Sequence, residues 1–576
     1  MAGTLRTIFV LLFLLCTCSL GAQSWQWAVN CGNSASDKAI DIAVSPGGDI
    51  YFCGFYNNQG TFGSINIPMF AASKEAYVAK MDSLGNFIWV RNCESYLDDR
   101  GLGLCLDPQG NVIYTGTAWY GGQFGPYTTA GQADHPFIVK LDPSGGYMWA
   151  VQGGSTGDDH GFDMVTDKLG NIYISGFLSN HYGTTPGTAT FGTLTPFTVW
   201  DSIAFVGKLS SNGVWKWVRT YQGHDGYRDN RISIDSSANI YIAGGFYGTN
   251  RSFGSTLLSS NGGRDIFVMK YDSAGNFQWV RPTGSTLDDR ADAIVVDKNE
   301  EIYITGEFRD KVAFGTDTVD NHGGPNGRDI FVAKMKTDGT WIWARRAGSN
   351  GGSDRGCGIA ADNKNHVYVS GQFKGNAHFG NDTTLIAGTD SVQIFVASID
   401  TSGGWQWAIQ AGGPGEDRGN AVACDTSCRV YVTGFFHSSA NFPGAQSLTS
   451  YGAKDGFVAR VMGGCIVDTP EDTSTPPVPP PPPAECDPRL PNIFTPNGDG
   501  HNETLALIDA TCVTEARWRI FNRWGQVVFE TADPLASWDG SLKSSKLSDG
   551  VYYYVLDAML QNGSSYTRTG FVSIYR

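Results

Sequence analysis

The pattern of hydrophobic and polar positions repeats along most of the chain. Its clearest copy lies between Ala291 and Lys334, where short apolar, β-branched and aromatic runs alternate with Gly, Asp and Asn. Ala293–Asp297 and Ile302–Phe308 predict two strands of this copy, and Phe331–Lys334 predicts a third. A tight turn then leads to Trp341-Ile342-Trp343, which marks the strand that precedes the next copy. The pattern therefore predicts four short strands per repeat.

Three markers of this unit each occur seven times. The glycine of the Y-x-x-G strand falls at Gly54, Gly116, Gly176, Gly244, Gly306, Gly371 and Gly434. The strand of the F-V-A-K type begins at Tyr77, Phe137, Phe205, Phe267, Phe331, Phe395 and Phe457, and the Trp strand ends on Trp27, Trp89, Trp149, Trp217, Trp279, Trp343 and Trp407. Four antiparallel strands in roughly 60 residues are typical of a β-propeller blade. A lone blade has two apolar faces and needs neighbours on both sides. We therefore predict an all-β, seven-bladed propeller.

The two ends of the repeat region indicate how the ring closes. The first unit opens on Trp25–Val29 with no F-V-A-K strand before it, and the last ends on Phe457–Arg460 with no Trp strand after it. We expect the N-terminal strand to complete the last blade, because this pairing removes two open sheet edges.

The sequence pattern of the repeat resembles that of the bacterial β-propeller repeat family known as SBBP. The shared pattern is D-x-x-G-N-I-Y-x-x-G-x-F, followed by F-V-A-K-x-D-x-x-G-x-x-x-W, and it covers roughly residues 25–462. The resemblance implies a fold and no particular activity.

A proline-rich stretch separates the repeats from a second domain. Pro476–Pro483 is interrupted only by Val478, which is typical of a semi-rigid spacer. The predicted divisions are a signal peptide over 1–22, the propeller over 23–465, the linker over 466–485 and a small Ig-like β-sandwich over 486–576, with turn signals every 8–12 residues.

The C-terminal domain contains four marker motifs, which are Pro491–Gly500, Arg523-Trp524-Gly525, Trp538-Asp539-Gly540 and the terminal Arg576. In these motifs it resembles the gliding motility-associated family, a type B sorting domain of the type IX secretion system. Glu503 stands where the family usually has Asp. The resemblance implies recognition by the type IX export machinery and display on, or release from, the surface of a Gram-negative bacterium.

The N-terminus and the composition fit export through the periplasm. Arg6, the apolar Ile8–Leu15 and the small residues up to Ala22 predict a signal peptide, with lipidation at Cys16 or Cys18 as the alternative. The formal net charge is −15 and no Lys/Arg run is present, which argues against nucleic acid. No later stretch is apolar enough to predict a membrane span.

Export makes disulfides feasible among the ten cysteines that remain after cleavage. Cys424 and Cys428 bracket a tight turn and are predicted to pair across it. Cys486 and Cys512 are predicted to pair in the C-terminal domain. The pairing of the other cysteines stays open, and a metal role is not indicated, because no C-x-x-C pair exists.

An aspartate followed by a basic residue precedes each predicted inner strand, except where Tyr replaces Asp. The pairs are Asp37-Lys38, Asp99-Arg100, Asp159-His160, Tyr227-Arg228, Asp289-Arg290, Asp354-Arg355 and Asp417-Arg418. In a ring they form a circle of alternating charge near one mouth of the channel, which is a candidate ligand face. The alternative is structural: each Asp caps its loop and pairs with an Arg.

Two further candidate sites lie in loops. The Asn180–Asp201 insertion carries Trp200 and belongs to the variable loops on the face of the aspartates, where binding usually occurs. Its alternative role is to cover a blade edge. Asn497 and Asp499, in an oxygen-rich loop, form a candidate Ca²⁺ site, with a self-bonded Gly-rich turn as the alternative. No other cofactor is predicted.

The sequence contains none of the common catalytic motifs, including G-x-S-x-G, H-E-x-x-H and the P-loop. Carboxylate pairs such as Asp98/Asp99 could serve a glycosidase, but they recur from blade to blade, which favours architecture. We therefore predict a non-catalytic, secreted or surface binding module for a polysaccharide or another surface protein. The alternatives are a propeller carbohydrate-active enzyme and a structural surface protein.

Overall fold

The computed structural model describes most of the chain. The described residues are 23–68, 73–95, 97–129, 133–180, 186–222, 230–324, 327–388, 391–462, 488, 490–491, 493–496, 503–507, 513–543, 545–560 and 565–574. They fold as β-strands and loops with no α-helix among them. The chain divides into two compact units, Met1–Ile466 and Val467–Arg576. The predicted signal peptide and the core of the proline linker lie outside the described residues.

The first unit is built of short strands. In chain order they are β1 Trp25–Cys31, β2 Lys38–Val44, β3 Ile50–Asn57, β4 Gly60–Phe62, β5 Ile65–Ile67, β6 Lys74–Met81, β7 Phe87–Asn92, β8 Arg100–Leu106, β9 Val112–Trp119, β10 Gln123–Phe124, β11 Tyr127–Thr128, β12 Asp134–Leu141, β13 Tyr147–Gln152, β14 His160–Thr166, β15 Ile172–Leu178, β16 Gly187–Ala189, β17 Phe197–Val199, β18 Ile203–Leu209, β19 Trp215–Tyr221, β20 Arg231–Ile234, β21 Ile240–Phe246, β22 Arg251–Phe253, β23 Thr256–Leu258, β24 Asp265–Tyr271, β25 Phe277–Thr283, β26 Arg290–Val296, β27 Glu301–Phe308, β28 Lys311–Phe314, β29 Asp317–Asp320, β30 Asp329–Lys336, β31 Trp341–Ser349, β32 Arg355–Ala361, β33 His366–Lys374, β34 Asn376–Phe379, β35 Thr383–Ile386, β36 Val392–Asp400, β37 Trp405–Ala411, β38 Arg418–Cys424, β39 Val430–Ala440 and β40 Leu448–Val461.

These strands form small antiparallel sheets of one design. Sheet 1 is β2-β3-β6-β7, sheet 2 β8-β9-β12-β13, sheet 3 β14-β15-β18-β19, sheet 4 β20-β21-β24-β25, sheet 5 β26-β27-β30-β31, sheet 6 β32-β33-β36-β37 and sheet 7 β38-β39-β40-β1. The first strand of each sheet contacts the first strands of the sheets before and after it, and β38 contacts β2. We call these first strands the inner strands.

The N-terminal strand lies where the sequence placed it. Trp25 pairs with Val461, and Trp27 to Asn30 pair with Arg460 to Phe457, so β1 is the outer strand of sheet 7. The inner edge of sheet 7 is tied to sheet 1 as well, because the Asn420 side chain donates to the Ala39 carbonyl at 2.8 Å.

Short hairpins cover the outer strands of the sheets. Each hairpin leaves the loop between the second and third strands of one sheet and meets the last strand of the preceding sheet, as in the pairing of Ala347 with Phe379. A buried phenylalanine anchors each hairpin, at Phe62, Phe124, Phe191, Phe253, Phe314, Phe379 and Phe442. In this way the outer edges gain cover against edge-to-edge association.

Tryptophan and lysine side chains connect neighbouring sheets at the end of each sheet that carries the tight turn between the third and fourth strands. We call this end the turn face. The Trp89 indole N–H and the Lys80 ammonium both donate to the Pro143 carbonyl in the next sheet, at 3.1 and 3.2 Å. The same pair of donors meets one carbonyl at the next junctions, at Ser211, Ser273 and Thr401. Between sheets 7 and 1, Trp27 and Arg460 donate to the Ser83 carbonyl at 3.3 and 2.9 Å. The regular tryptophans therefore pack between sheets.

The second unit has nine strands among its described residues. They are β41 Ile493–Phe494, β42 Leu505–Ala506, β43 Val513–Phe521, β44 Val527–Thr531, β45 Ser537–Trp538, β46 Ser541–Leu542, β47 Ser545–Lys546, β48 Gly550–Leu560 and β49 Ser565–Ile574. The main sheet has the order β41-β49-β48-β43-β44, with β41 parallel to β49. Trp518 and Trp538, at most 2 % exposed, lie in its core.

Candidate functional site

The repeated aspartates lie at the end of the sheets where the inner strands begin, which we call the loop face. Six of them are at most 1 % exposed: Asp37, Asp99, Asp159, Asp289, Asp354 and Asp417. Asp354 is typical. Its Oδ2 accepts from the Ser349 N–H at 2.6 Å and the Ser349 hydroxyl at 2.8 Å, and its Oδ1 accepts from the Lys374 N–H at 2.8 Å.

The other aspartates make the same connection. The backbone N–H twenty residues later donates to Oδ1 at 2.7–3.1 Å, from Asn57, Trp119, Ser179, Arg309 and His437. Each carboxylate thus joins the loop before an inner strand to the end of the second strand of the same sheet. The predicted capping is present. The expected pairing with arginine is not, since among the described ion pairs only His135 approaches one of these aspartates, Asp159, at 3.6 Å.

Burial dominates the electrostatics of these aspartates. It raises the pKa of Asp37 and Asp99 to about 7 and of Asp289, Asp354 and Asp417 to about 6, against the lowering effect of the donated hydrogen bonds. Carboxylates that face their own loops and not solvent are structural groups of the loop face.

The basic residues that follow the aspartates have different surroundings. Lys38 lies 4.3 Å from the centre of the Phe435 ring, and His160 stacks on Phe162 and Phe177. Arg100, Arg355 and Arg418 line a cavity between the inner strands. Tyr227 and Arg228 lie outside the described residues.

A β-bulge in the inner strands shapes this cavity. The register slips by one residue in β2, β8, β14, β26, β32 and β38, and the extra residues are Ile40, Leu102, Phe162, Asp292, Cys357 and Asn420. All six line the cavity. Bulges commonly re-aim a side chain in this way. Because the bulged residue differs among these six sheets, the repeat is irregular at the cavity wall.

The axial cavity, as we call it, has a volume of about 80 Å³ and is lined by residues of all seven inner strands and Phe55. Its charged residues are Arg100, Arg231, Arg355, Arg418 and Asp292. Arg355 makes a two-pronged ion pair with Asp292, in which Nε lies 2.8 Å from Oδ2. Arg290 also approaches Asp292, at 3.1 Å. Burial alone would raise the pKa of Asp292, but these two arginines hold it below its usual value.

A second cavity adjoins the first and contains two more carboxylates. Asp41 accepts the N–H of Leu104 on the next inner strand at 2.8 Å, and Asp163 accepts that of Ile232 at 3.0 Å. Arg231 lines both cavities. Burial works against the charge of Arg231, yet the nearby Asp163 and Asp41 raise its pKa overall.

Sequence reasoning did not single out Asp41, Asp163, Arg231 or Asp292. The available signal was a charged residue three or four positions after the repeated aspartate, where most repeats have an apolar or small residue. That signal is weak, because one shift of strand register would turn the same side chains away from the axis.

A side pocket of about 180 Å³ shares Arg100, Leu102 and Phe162 with the axial cavity. Its other lining residues are Asp98, Thr117, Trp119, Asp134, Asp158 and His160. Burial and the neighbouring Asp158 raise the pKa of Asp134 to about 7, against the effect of Arg100. Within the described part of the chain, no group of acidic, His or Cys side chains is arranged to hold a metal ion.

The described part of the Asn180–Asp201 insertion has the edge-covering role that was the alternative, and its binding role stays a prediction. It contains the β16–β17 hairpin, whose flanking Thr190 bridges to Gly154, so it covers the outer strand of sheet 2. Trp200 leaves its side chain 76 % exposed, and Tyr120, Tyr247 and Tyr451, also on the loop face, are at least half exposed.

The predicted Cys424–Cys428 disulfide is wrong. Cys424 carries a free thiol that donates to the Ala361 carbonyl at 3.5 Å, on the neighbouring inner strand, while Cys428 is disulfide-bonded elsewhere. The turn between them is closed by Asp425, which accepts the Ser427 and Arg429 N–H groups, and needs no disulfide. Cys486, Cys512 and the candidate Ca²⁺ ligands Asn497 and Asp499 lie outside the described residues.

Comparison with known families identifies the C-terminal domain. Residues 488–574 match the CHU_C Type IX secretion signal domain. The protein is secreted or displayed on the cell surface. The CHU_C domain implies recognition by the type IX secretion machinery, and no described helix is long and apolar enough to cross a membrane.

More distant similarities cover most of the chain. An uncharacterized WD repeat-containing protein of Acanthamoeba polyphaga mimivirus is 22 % identical over 538 residues, which cover 75 % of this chain and 38 % of that protein. Puromycin hydrolase is 11 % identical with a TM-score of 0.39, over 73 % of this chain and 55 % of the hydrolase. PorZ, a surface component of the type-IX secretion system of Porphyromonas gingivalis, is 8 % identical with a TM-score of 0.22, over 95 % of this chain and 100 % of PorZ. This chain therefore spans well under two thirds of the viral protein and of the hydrolase.

Proposed function

We propose that residues 23–465 form a closed, seven-bladed β-propeller of the SBBP type that acts as an exported binding module. Three observations support closure. The inner strands contact one another in cyclic order, including β38 with β2. The β1 strand completes sheet 7. The clamp on the Ser83 carbonyl repeats, between the last and first sheets, the two-donor contact found at four of the other junctions.

The match of residues 488–574 to the CHU_C domain is the observation that carries the exported role. Along the sequence, the proline-rich linker over 466–485 separates the proposed propeller from the sorting domain over 486–576. Few contacts should cross such a linker, so each part keeps its own core.

The loop face supports the binding role. On the turn face, tryptophan, lysine and turn carbonyls satisfy one another. The loop face instead offers exposed aromatic side chains, led by Trp200, and several arginines line the axial cavity. Aromatic rings and charged groups around a concavity suit a polysaccharide or a surface protein.

A propeller carbohydrate-active enzyme is the rival function, and the side pocket is the observation that favours it. Asp134, with its pKa near 7, could serve as a general acid beside Asp158. The pocket volume of about 180 Å³ is below the roughly 300–1,000 Å³ usual for small-molecule sites. We therefore favour binding without turnover.

Truncation after residue 465 tests export. The shortened protein should fold and accumulate in the periplasm, as shown by cell fractionation and protease protection of intact cells. Surface display of the truncated protein at the level of the full chain would contradict the sorting role. An unfolded product would instead contradict the proposed domain boundary.

A glycan array with the mature chain tests binding, with Trp200→Ala as the matched variant. We expect binding without release of reducing ends, and weaker binding by the variant. Turnover that is lost in Asp134→Asn would establish the enzyme instead, and no glycan binding would leave a protein partner or a structural role.

A further inference from the structure

Four arginines line the axial cavity, and they differ in how closely a carboxylate approaches them. Arg355 is bound by Asp292, and Arg231 lies between Asp163 and Asp41. Arg100 is 3.6 Å from Asp98. Arg418 forms no ion pair with any described residue, and its Nε is buried without a hydrogen-bond acceptor among them.

A buried donor without an acceptor costs about 1–3 kcal/mol, and more when the group is charged. A ligand that brings an acceptor to the Arg418 Nε would remove this cost. Arg418 stands at the cavity wall with Arg100 and Arg355, so a ligand there would meet several guanidinium groups at once.

We propose that the axial cavity binds a single carboxylate or similar oxyanion, carried by an acidic sugar of the polysaccharide that the loop face recognises. This inference rests on the proposed binding function. Guanidinium groups suit the assignment, because their planar fork of N–H donors matches a carboxylate or phosphate in a two-pronged contact.

The size of the cavity limits what enters. One water needs about 10–15 Å³ of such space, so about 80 Å³ holds several waters or one acid group. A sugar ring does not fit. The ring would lie outside, over the exposed aromatics of the loop face, and only its acid group would reach the arginines. The neighbouring Asp98, Asp134 and Asp158 would oppose a second acid group in the side pocket.

The test is calorimetric titration of the mature full chain at constant ionic strength with trigalacturonate, a neutral trisaccharide and sodium acetate. We expect trigalacturonate to bind and Arg418→Gln to weaken it at least tenfold. Arg418→Lys keeps the charge without the fork and should fall between the two. Lys216→Gln removes the same charge from an exposed position of β19 and should leave the affinity unchanged.

Several outcomes would overturn the inference. The first is equal binding by wild type and Arg418→Gln, and the second is equal weakening by Lys216→Gln, which would indicate only overall charge. The third is binding of acetate as tightly as trigalacturonate, which would indicate a free-anion site. If the neutral trisaccharide binds and the acidic one does not, the binding function survives and the oxyanion site fails.

Binding of neither sugar by a folded protein would remove the inference and the glycan ligand together, whereas a protein-binding role would stand. Melting curves establish that each variant is folded. If Arg418→Gln fails to fold, Arg100→Gln, which removes a guanidinium of β8 from the same cavity wall, takes its place, with the same expected loss.

Discussion

The turn face and the loop face are both built by the same repeat, yet they differ in how far the repeat is kept. On the turn face, Trp89 and Lys80 bind one carbonyl of the next sheet, and equivalent donors do so at most junctions. On the loop face the buried aspartates recur with equal regularity, but the bulged residues beside them change from Ile40 to Asp292 to Asn420.

The difference separates architecture from recognition. A group that recurs in every sheet satisfies a need that every sheet has, such as closing a loop or filling a junction. A position that the backbone presents in every sheet but the sequence fills differently is free to adapt to a ligand. The aspartates are therefore scaffold, and the bulged positions around the axis are the better site.

Removing the strand that joins both ends should have the largest effect. Deletion of residues 23–30 strips sheet 7 of β1, including the Trp25 indole that donates to the Gln410 carbonyl at 2.9 Å and packs on Phe442. We expect loss of cooperative thermal unfolding and aggregation, measured by circular dichroism and size exclusion. Truncation after residue 465 removes no strand of this unit and should melt normally. A normal melt of the deletion would break the closure argument.

Removing one tryptophan that connects two sheets on the turn face should have the second largest effect on stability. Trp89 is 6 % exposed and packs on Tyr51 as well as binding the next sheet. Trp89→Ala should cost about 3–5 kcal/mol in the free energy of unfolding, as is usual for a buried aromatic. Denaturant unfolding measures it. A loss below 1 kcal/mol would mean that the junctions do not depend on the clamp.

Replacing a buried aspartate of the loop face should destabilise the protein less than replacing Trp89. Asp354→Ala leaves the N–H groups of Ser349 and Lys374 without their acceptor, so we expect about 1–3 kcal/mol of destabilisation in the same experiment. Asp320→Ala, at an exposed position, is the control and should change little. Equal effects of the two variants would show that the buried aspartate is dispensable.

The pH dependence of stability should carry a smaller signature of the same groups. Their folded-state pKa values of about 6–7 lie above the value of about 3.9 in an unfolded chain. As pH falls from 7.5 to 5, the folded state takes up protons and the unfolded state does not. The free energy of unfolding should therefore increase as the pH falls over this range. The increase should be lost again as the pH returns toward neutral.

A melting series at fixed ionic strength measures this slope. Asp354→Asn removes one titrating group and should flatten it. A melting temperature that falls steadily from pH 7.5 to 5 would show that these aspartates stay ionised when folded.

The exposed tryptophan should have the smallest effect on stability. Trp200→Ala should change the free energy of unfolding by no more than about 0.5 kcal/mol, because the side chain is 76 % exposed. Beside Trp89→Ala, it sharpens the contrast between the faces: one tryptophan holds the fold, and the other is available to a ligand. A large loss of stability would assign Trp200 to packing.

Much of the strand layout followed from sequence. Expected strands Ala293–Asp297 and Ile302–Phe308 correspond to β26 Arg290–Val296 and β27 Glu301–Phe308. Local alternation and turn residues determine such strands, so a repeated sequence predicts them well. The predicted disulfide between Cys424 and Cys428 is wrong. The turn between them is closed by the Asp425 carboxylate, which accepts the backbone N–H groups of Ser427 and Arg429.

The sequence by itself determined the repeat, the strand that begins at Trp25, the position of each buried aspartate and the C-terminal sorting domain. The tertiary structure decided which charges meet at the axis. Arg231, Asp41 and Asp163 are more than 60 residues apart along the chain, and only the bulges and the packing of inner strands bring them together. The local sequence pattern determines where each strand forms. Contacts across the axis depend instead on strand register and on which sheets become neighbours.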